Sequence, residues 1–186
     1  MARLPLVAPE PDDPALKSMY DEVRARGIAL PNLYRVLGHS PPLFRAWLDF
    51  AWPLRLNART PRKLRELLIL RGAQVSQANY EWAHHVGMAL AAGVTQAQID
   101  ALAAAPDSAL FSPQEKAVIR LAEEVTRGPG ASAGCVESLK QHFSDAEIVE
   151  LTLTASFYVC VSRFLQSMDV DLEPGFEPHR LDRKEQ

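Results

Sequence analysis

The 186-residue chain has 20 Lys and Arg against 23 Asp and Glu, five His, and 47% hydrophobic residues, enough apolar material for one domain with its own core. A net charge of −3 and a pI near 6.0 leave no electrostatic footprint for nucleic acid. The apolar runs read as too short and too interrupted by charge to span a bilayer, and the start MARLPLVAPEPDDP lacks the regions of a signal peptide, so no membrane and a cytoplasmic setting are expected.

Residues 1–14 are proline-rich and read as an extended N-terminal arm. Ala15 to Arg26 is expected as a helix with Leu16, Met19, Tyr20 and Val23 on one stripe, ended by Gly27. Pro31 to Leu37 is a second short helix, stopped at Gly38-His39-Ser40. A third runs from Leu43 to about Leu56 with Phe44, Trp47, Leu48, Phe50 and Trp52, and Pro53 kinks or divides it.

Thr60 to Gly93 reads as two helices with a joint. Thr60-Pro61 offers an N-cap followed by proline at the first helical position. Leu64, Leu67 and Leu68 then recur at helical spacing. The period weakens over Val75 to Asn79, Asn79 is expected to cap the second helix, which runs to about Ala92, and Gly93 sits where a C-terminal cap belongs.

Thr95 and Gln98 make a capping box for a helix through Ala104. Ser112-Pro113-Gln114-Glu115 launches the next, to Arg127, and Gly128-Pro129-Gly130 breaks it. Ser132 to Phe143 follows, and Ser144 with Glu147 caps a last helix to about Ser167. Beyond Asp169 the chain turns polar, and residues 173–186 are read as a C-terminal tail outside a single domain spanning 15–172. Thr60 and Glu66-Leu67 are echoed by Ser144 and Glu150-Leu151 at the start of two long apolar helices. With no sustained strand period, no P-loop and no Gly-x-Gly-x-x-Gly, the fold class is all-α.

The central pair of helices carries the only dense set of proton-transfer side chains: Glu66, Tyr80, Glu81, Trp82, His84 and His85. Glu81 and His85 are four apart and share a helix face. A carboxylate beside an imidazole favours the imidazolium while burial opposes it, so the pair has the makings of an acid and a base near neutral pH. The competing reading is a solvated ion pair on a helix face. Glu66 either faces the same pocket or is a buried carboxylate paired with Arg65, Arg71 or a neighbouring subunit's arginine. His84 points about a hundred degrees from His85 and lines the mouth at most. Tyr80 offers a hydroxyl, Trp82 an apolar wall or a core residue, and Arg163 an isolated cation for a carboxylate or a subunit contact. Glu66, Glu81, His84 and His85 are metal-ligand types, but their spacing fits no metal motif, so no metal is expected. Cys135 and Cys160 form no Cys-x-x-Cys and read as small buried or half-buried residues.

Glu66, Ala78, Glu81 and His85, set in RELLILRGAQ and YEWAHHV, resemble the AhpD-like / carboxymuconolactone decarboxylase family. Peroxidase members have a Glu, a Cys-x-x-Cys pair, and a His four residues past the second Cys. Here Ala78 and Glu81 replace both thiols, and Glu81-x-x-x-His85 resembles the decarboxylase branch instead. The blocks Pro31-Asn32-Leu33-Tyr34, Ser112 to Glu115 and Phe143 to Leu151 extend the likeness over roughly Pro31 to Leu172. The resemblance implies an AhpD-like helical bundle, assembled as a homotrimer or hexamer with pockets near subunit contacts. It implies cofactor-independent acid–base chemistry of a lyase on a small organic acid or lactone, with His85, Glu81 and Glu66 catalytic and Tyr80, Trp82, His84 and Arg163 binding substrate. The alternatives are a thiol-dependent alkylhydroperoxidase, disfavoured by the missing cysteines, and a non-catalytic small-molecule binder or scaffold.

Overall fold

The computed structural model describes residues 2–176, 179 and 181. Residues 1, 177, 178, 180 and 182–186 lie outside the described residues, and with them the first residue of the expected arm and much of the expected tail. Among the described residues there are nine α-helices and no strand.

The N-terminal arm runs along the end of the last helix and then the second: Arg3 N–H donates to the Met168 carbonyl at 2.8 Å and Val7 N–H to that of Arg35 at 3.3 Å. Helix α1 spans Pro14–Ala25, capped by the Asp13 carboxylate, and buries the stripe Leu16, Met19, Tyr20, Val23. Helix α2 is Asn32–Leu37 and α3 is Pro41–Trp52. Gly38, after α2, faces the Tyr20 hydroxyl so closely that a Cβ would lie 2.3 Å from it, which explains a glycine there. At Pro53 the α3 path does not simply kink. It continues as a π-helical turn, Pro53–Asn57, because a residue without an N–H cannot extend the α ladder.

Helix α4, Arg62–Val75, is the axis of the molecule, packed by α5 (Asn79–Ala91), α7 (Pro113–Arg127) and α9 (Asp145–Met168). Leu64, Leu68 and Ile69 enter one apolar cluster with α1–α3 and α7–α9, while Leu67, Leu70 and Ala73 enter a second with α5, α6 (Gln96–Asp100) and Phe111. Apolar residues right round a helix mean burial right round it. Helix α8 is Ala133–Lys140, shorter than expected, and a 3₁₀ turn, Leu102–Ala104, completes the span expected for α6. The capping boxes at Thr95, Ser112 and Ser144 all form.

Two expected caps do not. The residue preceding α4 is Pro61, and the Thr60 hydroxyl is buried without a partner. Glu150 of α9 instead accepts from the Arg59 and Thr60 amides at 2.9 and 3.1 Å, so the echo of Glu66 is a structural carboxylate. Asn79 begins α5 from inside it, and its side chain accepts from the Leu181 amide at 2.9 Å. The joint between α4 and α5 turns at Gln77, whose φ of 55° is left-handed. Helix α9, against expectation, is long and apolar enough by composition to cross a membrane. Its inner face, including Leu151, Phe157, Tyr158 and Val161, is nonetheless part of the core.

Candidate active site

His85 stands on the side of α5 facing α4, where helical spacing that would serve a leucine presents an imidazole instead. It is 1% exposed, and Glu66, from the middle of α4, is 0% exposed. His85 Nδ1 lies 2.7 Å from Glu66 Oε2. Its Nε2 is 3.5 Å from Glu81 Oε2, one turn earlier on α5. The other oxygen of Glu66 meets Arg62 as an ion pair rather than an aligned hydrogen bond. Burial alone would raise the Glu66 pKa, but His85 and Arg62 outweigh it and hold the carboxyl below its usual range. An ionised carboxylate only accepts, so Nδ1 carries the proton that bridges the pair. Burial also opposes charge on His85. The Tyr158 oxygen, the Glu66 carboxylate and the bonds to Glu66 and Glu81 prevail, and its pKa is pushed up to about 10. Tyr158 presents its ring edge-on to the imidazole at 5.0 Å, which fixes the plane from the α9 side.

A cavity of about 310 Å³ opens on this group, lined among others by Tyr34, Arg55, Tyr80, Glu81, His84 and His85. Residues 28–31 on one side and Glu173, Pro174 and Phe176 on the other form its mouth. The Tyr80 hydroxyl donates to Glu173 Oε1 at 2.6 Å and accepts from the Leu33 amide at 3.3 Å. His84 is stacked between Tyr80 and Phe176, with ring centroids 4.2 and 4.0 Å apart. Its Nδ1 lies 2.9 Å from the Tyr80 carbonyl and its Nε2 2.9 Å from Glu173 Oε2. Burial works against charge on Glu173, but His84, Tyr80 and the Asn32 amide hold its pKa down.

The expected site residues therefore separate. Glu81, His85, Tyr80 and His84 share the cavity. Glu66 does not line it but stands behind His85, paired with Arg62 rather than Arg65 or Arg71, because it lies one turn beyond Arg62 on α4. Trp82 is packed into the second apolar cluster with Val86, on a side of α5 turned from the cavity. Arg163 is exposed on the outer face of α9 and is not part of the cavity. Neither cysteine lines it. Cys135 is buried in the larger cluster, where burial pushes its thiol up, and Cys160 is exposed rather than half-buried. Among the described residues no group of three or more His, Cys, Asp and Glu is placed to hold a metal ion. Sequence reasoning passed over Arg55, Tyr34, Tyr158 and Glu173. Only Arg55 carried a signal, as a lone cation two residues past a helix-breaking proline.

A bundle around one buried helix, with a Glu–His–Glu group at the wall of a cavity on the α4–α5 pair, defines the class. Residues 41–124, from α3 into α7, match the Carboxymuconolactone decarboxylase family. Over that stretch, 84 of the 186 residues, the chain is similar to this family. No curated protein sequence matches it. Among solved structures it is similar to an uncharacterised peroxidase-related protein with an AhpD core from Ralstonia eutropha JMP134, at 20% identity and a TM-score of 0.78 over 94% of each chain. A peroxidase-related protein from Silicibacter sp. TM1040 superposes with a TM-score of 0.80 at 14% identity, over 94% of this chain and 93% of the other. The debrominase Bmp8, in complex with 2,3,4-tribromopyrrole, gives 0.77 at 18% identity over 96% and 97%. At such identities these likenesses establish the AhpD-like fold.

Proposed function

We propose that this protein is a cofactor-independent acid–base enzyme, a lyase of the carboxymuconolactone decarboxylase type, acting on a small organic acid or lactone bound in the cavity. The observation that carries the reading is His85, held between two carboxylates at the cavity wall. Glu66 anchors Nδ1–H and sets the ring plane, leaving Nε2 directed to Glu81 and the cavity. The raised pKa keeps His85 an imidazolium at neutral pH, which suits it to donate a proton.

In a decarboxylation, the bond from the substrate carbon to its carboxylate breaks and the electron pair moves into a conjugated carbonyl as an enolate. Carbon dioxide leaves, and His85 Nε2 delivers its proton to the carbon. The imidazolium also stabilises the enolate while it lasts. Glu81, beside Nε2, relays the replacement proton from water. With a lactone, Glu81 would take a proton from carbon and His85 return one to the ring-opened or isomerised product. Thiol-dependent peroxide reduction has no support at this cavity, whose lining contains no cysteine.

The test is turnover of a panel of unsaturated acids, 2-oxo acids and enol-lactones by wild type and His85→Gln. Loss of one general acid–base group is expected to lower the rate by roughly a hundredfold or more. Equal turnover by both proteins removes His85 from the mechanism. We further propose self-association as a trimer or hexamer, supported by the exposed apolar side chains Val149 and Leu153 on α9 and Leu43 and Leu56 near α3. Light scattering of the purified protein checks it, and a monomer would end that proposal.

A further inference from the structure

One cation at the cavity has no anion. Arg55 projects from the π-helical turn Pro53–Asn57, in which Pro53, Leu56 and Asn57 are exposed while Arg55 itself is half-buried and lines the cavity. Its Nε donates to the Tyr158 hydroxyl and its Nη1 to the Tyr34 hydroxyl, each at a long 3.4 Å. Those are neutral acceptors. A guanidinium carries five N–H groups, and among the described residues Arg55 has no carboxylate within ion-pair distance and no partner for Nη2.

The other arginines around α4 are differently placed. Arg62 pairs with Glu66, and Arg71 with Glu123 and Gln74. Arg65 is satisfied by the carbonyls of Thr60, Leu54 and Arg55. A cation withdrawn from water without a counter-charge costs stability unless something else supplies one. Glu81 acts on Arg55 only through space, and its nearest basic neighbour is the His85 ring. The same cavity thus carries an uncompensated planar cation and the acid–base pair.

We propose that Arg55 is the recognition residue for a carboxylate on the ligand, receiving it in a forked contact that sets the rest of the molecule against His85 and Glu81. This rests on the reading of the cavity as a substrate site. A guanidinium fork matches two carboxylate oxygens, and the Tyr34 and Tyr158 hydroxyls brace the fork from behind. Tyr158 touches both Arg55 and the His85 ring, so it ties the anchor to the proton donor in one frame.

The experiment is calorimetric titration of the full chain with small carboxylates, each matched to its primary amide: benzoate with benzamide, cinnamate with cinnamamide, and sorbate with its amide. Wild type is expected to bind the carboxylate of a pair at least about tenfold more tightly than the amide, the scale of one charge-assisted contact. Arg55→Met should abolish that preference while leaving amide binding in place. Arg55→Lys should retain part of it, since it keeps the charge and loses the fork. His85→Gln should keep the carboxylate preference whether or not it turns anything over, which separates this inference from the catalytic one. No preference in wild type, or an undiminished preference in folded Arg55→Met, overturns it.

Discussion

His84 and His85 are adjacent in sequence and live in different worlds. His85 is buried between α4 and α5 at the cavity wall, and both of its carboxylate partners come from those two helices. His84, about a hundred degrees round the same helix, faces the cavity mouth and is held by Tyr80, Phe176 and Glu173. The inner histidine has a preorganised donor geometry that no ligand needs to create. The outer one completes its surroundings only with residues some ninety positions further along the chain. Its two ring nitrogens face a carbonyl and a carboxylate, both of them acceptors. One histidine is held by the helix pair that carries it, the other by contacts to Glu173 and Phe176.

The largest expected effect breaks the inner half. Glu66→Leu leaves Arg62 and His85 without their shared carboxylate in the core, and breaking a buried pair of this kind costs about 3–5 kcal/mol. Chemical denaturation should read that loss, and a change under 1 kcal/mol would mean the pair contributes nothing net. The folded pKa of His85 lies above its unfolded value near 6.5, so its contribution is complete below about 6.5 and is lost as pH rises through about 10. Glu66 shifts the opposite way, so its contribution is present above the ordinary carboxylate range and is lost as pH falls through its depressed pKa. Melting temperature plotted against pH should therefore fall on both sides of a plateau.

A subtler pair of variants ranks the two carboxylates. Glu66→Gln and Glu81→Gln both remove a charge that favours the His85 imidazolium, so the alkaline limb of activity should move to lower pH in each. The shift should be larger for Glu66, which is 2.7 Å from the ring against 3.5 Å for Glu81. A larger shift in Glu81→Gln would exchange the roles assigned to them.

For the outer half, Glu173→Gln removes the charge that His84, Tyr80 and the Asn32 amide hold in place. Hydrogen exchange at the Phe176 and Leu33 amides should quicken by about tenfold, as expected for losing roughly 1–2 kcal/mol of charge-assisted bonding. Exchange in α4 should not change. Unchanged protection at the mouth would mean that Phe176 stacking alone closes it.

The inner half was legible in the sequence because it depends on local spacing. Glu81 and His85 are one helical turn apart, and Glu66 was picked out from the preceding helix. What spacing did not disclose is which carboxylate binds more tightly, because that depends on how α5 lies across α4. The capping boxes at Thr95, Ser112 and Ser144 were readable for the same local reason. Thr60 looked like a cap by residue type, but Glu150 from another helix reached the amides first. Arg163 looked like a carboxylate anchor because its neighbours are apolar, yet helix phase turns it outward. Arg55 and Glu173 depend on tertiary closure: one on a π turn after Pro53, the other on a segment that reads as a tail.

The smallest prediction concerns the joint that sets the angle between the two helices and so the distance from Glu66 to His85. Gln77 is the pivot, exposed and left-handed at φ 55°, in a conformation that costs an L-residue about 1 kcal/mol and glycine almost nothing. Its side-chain amide returns some of that by donating to the Gln74 carbonyl at 2.9 Å. Two further bonds hold the turn without it: the Ser76 amide to the Gly72 carbonyl at 2.9 Å, and the Ala78 amide to the Ala73 carbonyl at 2.8 Å. Gln77→Gly relieves the strain, loses one exposed hydrogen bond and loosens the unfolded chain. The net should be a stabilisation of no more than about 0.5 kcal/mol, with the pH limb of His85 unmoved. Gln77→Val forces a β-branched residue into the same conformation and should destabilise by about 1–2 kcal/mol. If it also shifts the alkaline limb, the joint transmits its strain to the Glu66–His85 distance. If it destabilises without moving the limb, packing of Leu67, Leu70 and Val86 alone sets the register of the two helices.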